Sequence, residues 1–126
     1  MRVPIWGRQN NHGFEGASVS PDGRTLFAVN QSALRQDIDA EQAKATRRNA
    51  RLPAYDIKGT PRLIHEYAVQ LALHREAGRT SVAAQSELLA IDDHRFLLLC
   101  GDSGGGLAAK RRESLYRKLK WSLSAA

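Results

Sequence analysis

Three acidic residues lie where strands are predicted to begin or end, and their type and placement could support chemistry. Glu15 and Glu87 each lie at the start of a predicted strand, and Asp102 follows another strand, just before a run of glycines. Carboxylates gathered in one place can hold a divalent cation such as Ca²⁺ through oxygen ligands, or act as acid and base. The sequence therefore predicts a site in which Glu15 and Glu87 are catalytic candidates and Glu15, Glu87 and Asp102 are candidate metal ligands.

A structural role for the two glutamates fits the same pattern. A buried glutamate can accept hydrogen bonds from neighbouring backbone N–H groups and hold adjacent groups of strands together. Glu15 is flanked by Gly13 and Gly16, which allow another backbone to approach closely. His12 lies beside this patch and is a further candidate, but the four histidines lack paired metal-ligand spacing, so a zinc site is not predicted.

Turn-forming residues divide the chain into short strands that pair as hairpins. The clearest turn is Ser20–Gly23, in which the proline fixes φ at the first corner, Asp22 can bond its own backbone, and Gly23 tolerates a positive φ. The predicted hairpins have their strands at 17–19 and 26–29, at 52–56 and 62–69, and at 86–91 and 96–100, and a further strand is predicted at 115–123.

Short strands at fairly even spacing predict an all-β sandwich, barrel or propeller. In a propeller, the first four strands would form one antiparallel blade and the last three most of another. The segment 35–51 interrupts this pattern, because it lacks glycine, proline and aromatic residues and is rich in helix formers. We expect it to be a surface insertion that is partly helical or disordered.

The net charge of +6 comes from 19 Lys and Arg against 13 Asp and Glu. Much of the basic excess lies at Arg47, Arg48 and Arg51 and in the segment 110–118. A positive field there would steer phosphate-bearing ligands, although solvated surface charge explains the same pattern. No aromatic residues interleave with these runs, so nucleic-acid binding is not predicted, and no apolar run is long enough for a membrane span.

The segment Gly101–Gly106 nearly matches the nucleophile loop of trypsin-like serine proteases, but the rest of that enzyme class is missing. The expected Ala-Ala-His-Cys stretch is absent, and 126 residues are too few for two barrels. Ser103 is therefore interpreted as a loop hydroxyl. Cys100, the only cysteine, follows a run of leucines and is predicted to be an inert core thiol.

Several patches of the chain occur together in one order between about residues 11 and 117. They are Gly13–Gly16, Ser20–Gly23, Gln31–Leu34, Ala84–Leu88, Phe96-Leu97 and Asp102–Gly104. Together these patches resemble the phytase-like family, also described as having esterase-like activity of phytase. The resemblance implies a β-propeller fold and hydrolysis of phosphoesters or related esters at acidic residues, and the family pattern carries acidic residues at Glu15 and Glu87.

The same resemblance suggests a secreted or periplasmic protein, although residues 1–6 show no charged-then-apolar signal segment. Gly101 stands where family members often have an arginine, which would be a natural clamp for a phosphate. The alternative to a hydrolase is a non-catalytic propeller segment that binds a protein or an anionic ligand.

The number of predicted strands is small for a propeller, which takes roughly 4–8 blades of four strands. Residues 1–126 are therefore expected to form a partial phytase-like β-propeller domain of about two blades, inactive in isolation. Its exposed strand edges and blade face predict self-association.

Overall fold

The computed structural model describes residues 6–76, 78–101 and 117–123. Within these ranges the chain forms nine β-strands, a 3-10 turn at Arg35–Asp37 and a short α-helix, α1, at Ala43–Thr46. The strands are β1 (Phe14–Val19), β2 (Thr25–Asn30), β3 (Asn49–Asp56), β4 (Arg62–Gln70), β5 (Leu73–Glu76), β6 (Arg79–Val82), β7 (Ala84–Ala90), β8 (Arg95–Gly101) and β9 (Arg117–Leu123). The predicted all-β class is confirmed, and no helix in these ranges is long and apolar enough to cross a membrane.

The first four strands form one antiparallel sheet in the order β1-β2-β3-β4, so each strand pairs with its neighbours in sequence. Successive side chains of a strand point to opposite faces. Phe27 and Val29 of β2 and Leu52 and Ala54 of β3 are buried, and this alternation gives the sheet an apolar face. The four-stranded meander is the arrangement predicted for one propeller blade.

A second meander, β7-β8-β9, gives a three-stranded antiparallel sheet, as predicted for most of another blade. The buried apolar side chains of β7 and β8 are Leu88, Ala90, Phe96, Leu98 and Cys100, which lie at alternating positions of these two strands. Between the two meanders, β5 and β6 form a separate two-stranded hairpin that the sequence did not predict.

The two meanders pack through one buried cluster that includes Phe27, Leu52, Leu88 and Phe96. The rings of Phe27 and Phe96 meet edge to face with their centroids 4.7 Å apart, a geometry that aromatic quadrupoles favour. Cys100 is fully buried in the same cluster, as expected for a core thiol.

The first strands of the two meanders, β1 and β7, lie side by side and run in the same direction. The hydroxyl of Ser18 accepts a hydrogen bond from the backbone N–H of Ala90 at 2.9 Å. Nearer the other end of the strands, the fully buried side chain of Gln85 donates to the carbonyl oxygen of Val29 at 2.9 Å. These two bonds join β7 to β1 and to β2, and they fix the alignment of the two sheets.

The turn at residues 20–23 has the predicted geometry. The N–H of Gly23 donates to the carbonyl of Ser20 at 2.8 Å, and Gly23 has a φ of +73°. The Asp22 carboxylate accepts bonds from the Ser20 hydroxyl at 2.6 Å and from the Arg24 N–H at 3.0 Å. Asp22 is thus a turn residue, as the sequence predicted.

The connections differ at the two edges of the sheets. Tight turns join β1 to β2, β3 to β4 and β7 to β8 at one edge, whereas the long connections lie at the opposite edge, where β1 and β7 begin. We call this the loop edge: it carries residues 31–48 and the β5–β6 hairpin, and β8 ends there at Gly101. Binding residues are commonly carried on such loops over a rigid scaffold.

Two strand boundaries differ most from the sequence prediction. The segment predicted as an insertion, 35–51, contains the 3-10 turn and α1, but β3 already begins at Asn49 and pairs with Gln70 there. The first strand begins at Phe14 rather than at residue 17, so Glu15 lies inside β1. In both cases pairing with a neighbouring strand extends the element beyond what local composition favours.

Candidate active site

Glu15 and Glu87 occupy matching positions on the two adjacent strands β1 and β7. Ser18 is bonded to Ala90, and Gly16 lies against the backbone of Leu88. In both pairs the residue of β7 follows its partner in β1 by the same number of positions along the chain. Glu87 follows Glu15 by that same number. The backbone positions of the two glutamates therefore lie at the same level of adjacent strands, near the loop edge.

Gly16 makes this alignment sterically feasible. A Cβ atom on Gly16 would lie 2.8 Å from the backbone nitrogen of Leu88 and 3.0 Å from the carbonyl carbon of Glu87. Such distances are too short for any side chain, so only glycine lets β1 and β7 approach this closely. At Gly13, by contrast, a Cβ atom would meet nothing within 4 Å.

Each strand carries an irregularity beside its glutamate. Phe14 pairs with Asn30 and Gly16 with Val29, which leaves Glu15 as the extra residue of a bulge. In β7 the same kind of shift falls between Gln85 and Glu87. β-Bulges break the strict alternation of side chains and are frequent beside active sites, where they re-aim a side chain.

Both glutamate side chains are exposed to solvent. One carboxylate oxygen of Glu87 accepts a hydrogen bond from the N–H of Leu88 at 3.0 Å. A structural role for the two glutamates would require them to be buried and to hold the strands together. The side chains that bond the two sheets are instead those of Gln85 and Ser18. Neither role was predicted from the sequence; a polar side chain among the leucines and alanines of β7 was the available signal for Gln85.

Asp102, the third candidate ligand, lies outside the described residues. In the described part of the chain, no three Asp, Glu, His or Cys side chains are grouped so that they could hold a metal ion. Ca²⁺ takes 6–8 oxygen ligands. Glu15 and Glu87 alone therefore do not make a calcium site, and further oxygen ligands would be needed.

Two arginines of the predicted basic segment have structural partners. Arg51 donates to both carboxylate oxygens of Asp37, each at 2.7 Å, and to Glu66 at 2.7 Å. The pKa of Arg51 is raised, chiefly by the hydrogen bond to Asp37. Arg48 donates from its Nε to the carbonyl of Leu71 at 2.8 Å. These two cations therefore organise the loop edge rather than lie free in solvent.

His12, the weakest of the sequence candidates, lies half-buried at the loop edge. Its Nδ1 atom is 2.7 Å from the hydroxyl of Ser32. His12, three residues before Glu15, is therefore held by the connection that follows β2.

Comparison with known proteins connects this geometry to a family. The model of a family described as Phytase-like, with esterase-like activity of phytase, matches residues 4–123. An uncharacterized secreted protein of Arthroderma benhamiae is 44% identical in an alignment of 121 residues, which covers 90% of this chain and 23% of that protein. The chain thus spans less than a quarter of the length of this relative. No solved structure gives a significant match.

Proposed function

Because this chain belongs to the phytase-like family, we propose that it forms part of a hydrolase of phosphoesters or related esters, in which Glu15 and Glu87 are the catalytic residues. The observation that supports this proposal is that two exposed glutamates occupy matching positions of the adjacent strands β1 and β7. Both lie at the loop edge, where other segments of the protein can contribute substrate contacts.

Two carboxylates on neighbouring strands suit an acid–base reaction. One carboxylate would accept a proton from water as that water attacks the ester, and the other, in its protonated form, would give a proton to the departing alcohol oxygen. The ester bond breaks, the bond from water oxygen forms, and the two glutamates exchange protonation states. Exposure of both side chains leaves room for a substrate, and the bulge at Glu15 turns its side chain out of the regular alternation of β1.

Calcium is proposed as an additional component, with Asp102 supplying further ligand oxygen beside Glu15 and Glu87. A bound Ca²⁺ would supply positive charge near an anionic ester. The proton transfers above are assigned to the glutamates alone.

We also propose that the protein is secreted, since the 44% identical relative bears that description. The proposed substrates are small ester or phosphoester molecules. A non-catalytic role as a binding or scaffold segment is the second candidate.

The decisive experiment compares hydrolysis by the full-length protein with hydrolysis by its Glu15→Gln and Glu87→Gln variants. A chromogenic phosphate and a chromogenic acyl ester serve as substrates. Glutamine keeps the size of the side chain but cannot transfer the proton, so each variant is expected to lose about 10²–10⁴-fold in rate without a change in melting temperature. Glu41→Gln, a change at another exposed glutamate of the loop edge, is the matched control.

Full activity in both variants would remove these residues from the mechanism. If the intact protein hydrolyses no ester while remaining folded, the binding-segment role replaces the hydrolase.

A further inference from the structure

A large cavity opens at the loop edge between α1 and the β5–β6 hairpin. Its volume is about 860 Å³, within the range of about 300–1,000 Å³ that small-molecule sites occupy. One wall contains Lys44 and Arg47, at α1 and its C-terminal end, and the other contains Arg79 at the start of β6. Residues far apart in sequence therefore bring three cationic side chains to one cavity.

The charge in this cavity is one-sided. Among the described lining side chains none is acidic. The ion pairs of the described residues do not include Lys44, Arg47 or Arg79, in contrast to Arg51, which is held by Asp37 and Glu66. Three cations that have no carboxylate partner among the described side chains surround one concave surface, and they produce a positive potential that an anion would neutralise.

Hydroxyl groups add donors of the kind that oxyanions accept. Ser32 lines the cavity and is fixed from two sides, by Gln9 Nε2 at 3.2 Å and by the ring of His12 at 2.7 Å. Thr80 and Ser81 line the opposite wall beside Arg79. Guanidinium and hydroxyl donors arranged around one space are typical of sites for phosphate and sulfate groups.

The cavity is larger than one oxyanion needs, and part of its wall is apolar. Leu73 and Val82, which pair across the β5–β6 hairpin, both line it. An organic group attached to the oxyanion could pack against these two side chains, since burial of apolar surface stabilises a complex.

Hydrogen bonds anchor the base of the hairpin that forms this wall. The N–H of Leu71 donates to the carbonyl of Arg48 at 2.7 Å, and the Nε of Arg48 donates to the carbonyl of Leu71 at 2.8 Å. The N–H of Ala83 donates to the carbonyl of Ala72 at 2.8 Å. An isolated two-stranded hairpin is marginally stable. A ligand that joined Arg79 to Arg47 would therefore tie the outer part of the hairpin to α1.

From these observations we propose that the cavity is a second binding site, separate from the glutamate pair, for a small organic molecule carrying a tetrahedral oxyanion. Arg47, Arg79 and Lys44 bind the oxyanion, and the Leu73–Val82 side of the hairpin contacts the organic part. The site requires no hydrolysis and is independent of the catalytic assignment of Glu15 and Glu87.

Calorimetric titration of the full-length protein with phenyl phosphate and with phenyl sulfate tests this site. We expect saturable binding of at least one of them, and the tighter of the two identifies a phosphorylated or a sulfated ligand. The double substitution of Arg47→Gln and Arg79→Gln should weaken binding by about tenfold or more, because it removes charge-assisted hydrogen bonds.

The matched control is the double substitution of Arg24→Gln and Lys58→Gln, which removes the same charge at exposed residues of the opposite edge. If this control weakened binding equally, the effect would come from net charge alone, and the proposal would be overturned. The proposal would also be overturned if neither compound showed saturable binding. Binding should persist in the Glu15→Gln variant, so the result is separable from the hydrolase assignment.

Hydrogen exchange gives a second measurement. In the unaltered protein, bound ligand should slow the exchange of backbone amides in residues 73–82. In the Arg47, Arg79 double variant, the same concentration of ligand should leave these exchange rates unchanged. Saturable binding without any protection of the hairpin would place the ligand elsewhere.

Discussion

At position 16 the lack of a side chain sets how closely β1 can approach β7, and hence how near Glu15 can lie to Glu87. Replacement of Gly16 by alanine would push a Cβ atom into the backbone of Leu88. We expect Gly16→Ala to destabilise the fold by about 1–3 kcal/mol, the usual cost of forcing extra atoms into a packed contact.

Chemical denaturation of Gly16→Ala and of Gly13→Ala measures this effect. Gly13 has space for a Cβ atom and lies three residues away. Equal stability of the two variants would mean that β1 and β7 are not in close backbone contact.

A calcium ion held by Glu15, Glu87 and Asp102 would bind only the folded protein. Ca²⁺ should therefore raise the melting temperature, and the increase should grow with concentration above the dissociation constant. The increase should be lost in Glu87→Gln and retained in Glu41→Gln. A folded protein whose melting temperature is unchanged by Ca²⁺ would contradict the calcium assignment.

At the scale of the element, the turn at 20–23 connects stability to pH. The hydroxyl of Ser20, and secondarily the N–H of Arg24, stabilise the charged Asp22 and lower its pKa. Because the folded pKa lies below the unfolded value of about 3.9, the turn is favoured above that pH. The contribution is lost as the pH falls through the folded pKa.

Melting curves between about pH 6 and pH 2 test the Asp22 turn. Asp22→Asn removes the titrating group, so its melting temperature should fall less on acidification than that of the unaltered protein. Asp93→Asn, in the exposed turn before β8, serves as the control and should follow the unaltered protein. Parallel curves for all three proteins would exclude a contribution from Asp22.

The hairpins whose turns carry strong local signals were predictable, and those formed by tertiary contacts were not. Proline, aspartate and glycine mark residues 20–23, and the meander follows from them. The β5–β6 hairpin is largely polar and exposed and is anchored at its base by Leu71 and Arg48, so local composition gave little sign of it. For the same reason sequence analysis missed the cavity wall that contains Arg79.

The candidate site was predictable only in part. Acidic residues at the starts of two strands indicated Glu15 and Glu87, because both are polar residues next to apolar strand cores. Their common position could not be derived from local patterns, since it depends on the Gly16–Leu88 contact and on the Gln85 and Ser18 bonds between sheets. Arg51, for which the charge pattern indicated either a ligand-steering field or solvated surface charge, instead joins Asp37 and Glu66.

On the scale of the whole molecule, the face of the β7–β8 pair opposite the core carries three leucines beside Glu87, which pairs with Leu99. Leu89 pairs with Leu97, and Leu99 lies next on the same face. Leu89 is 52% exposed and Leu99 36% exposed. In a propeller another blade would cover such a face, and contiguous exposed apolar surface otherwise favours association.

We therefore expect the 126-residue chain, produced alone, to be folded but to associate through this face as its concentration rises. A Leu89→Lys variant should shift the population towards monomer in size-exclusion chromatography with light scattering, because a charge on the face must be desolvated on association. Leu63→Lys, at an equally exposed leucine of the first sheet, distinguishes this face from general surface hydrophobicity. A monomer at all concentrations would contradict the expectation, and dissociation by Leu63→Lys alone would move the interface to the first sheet.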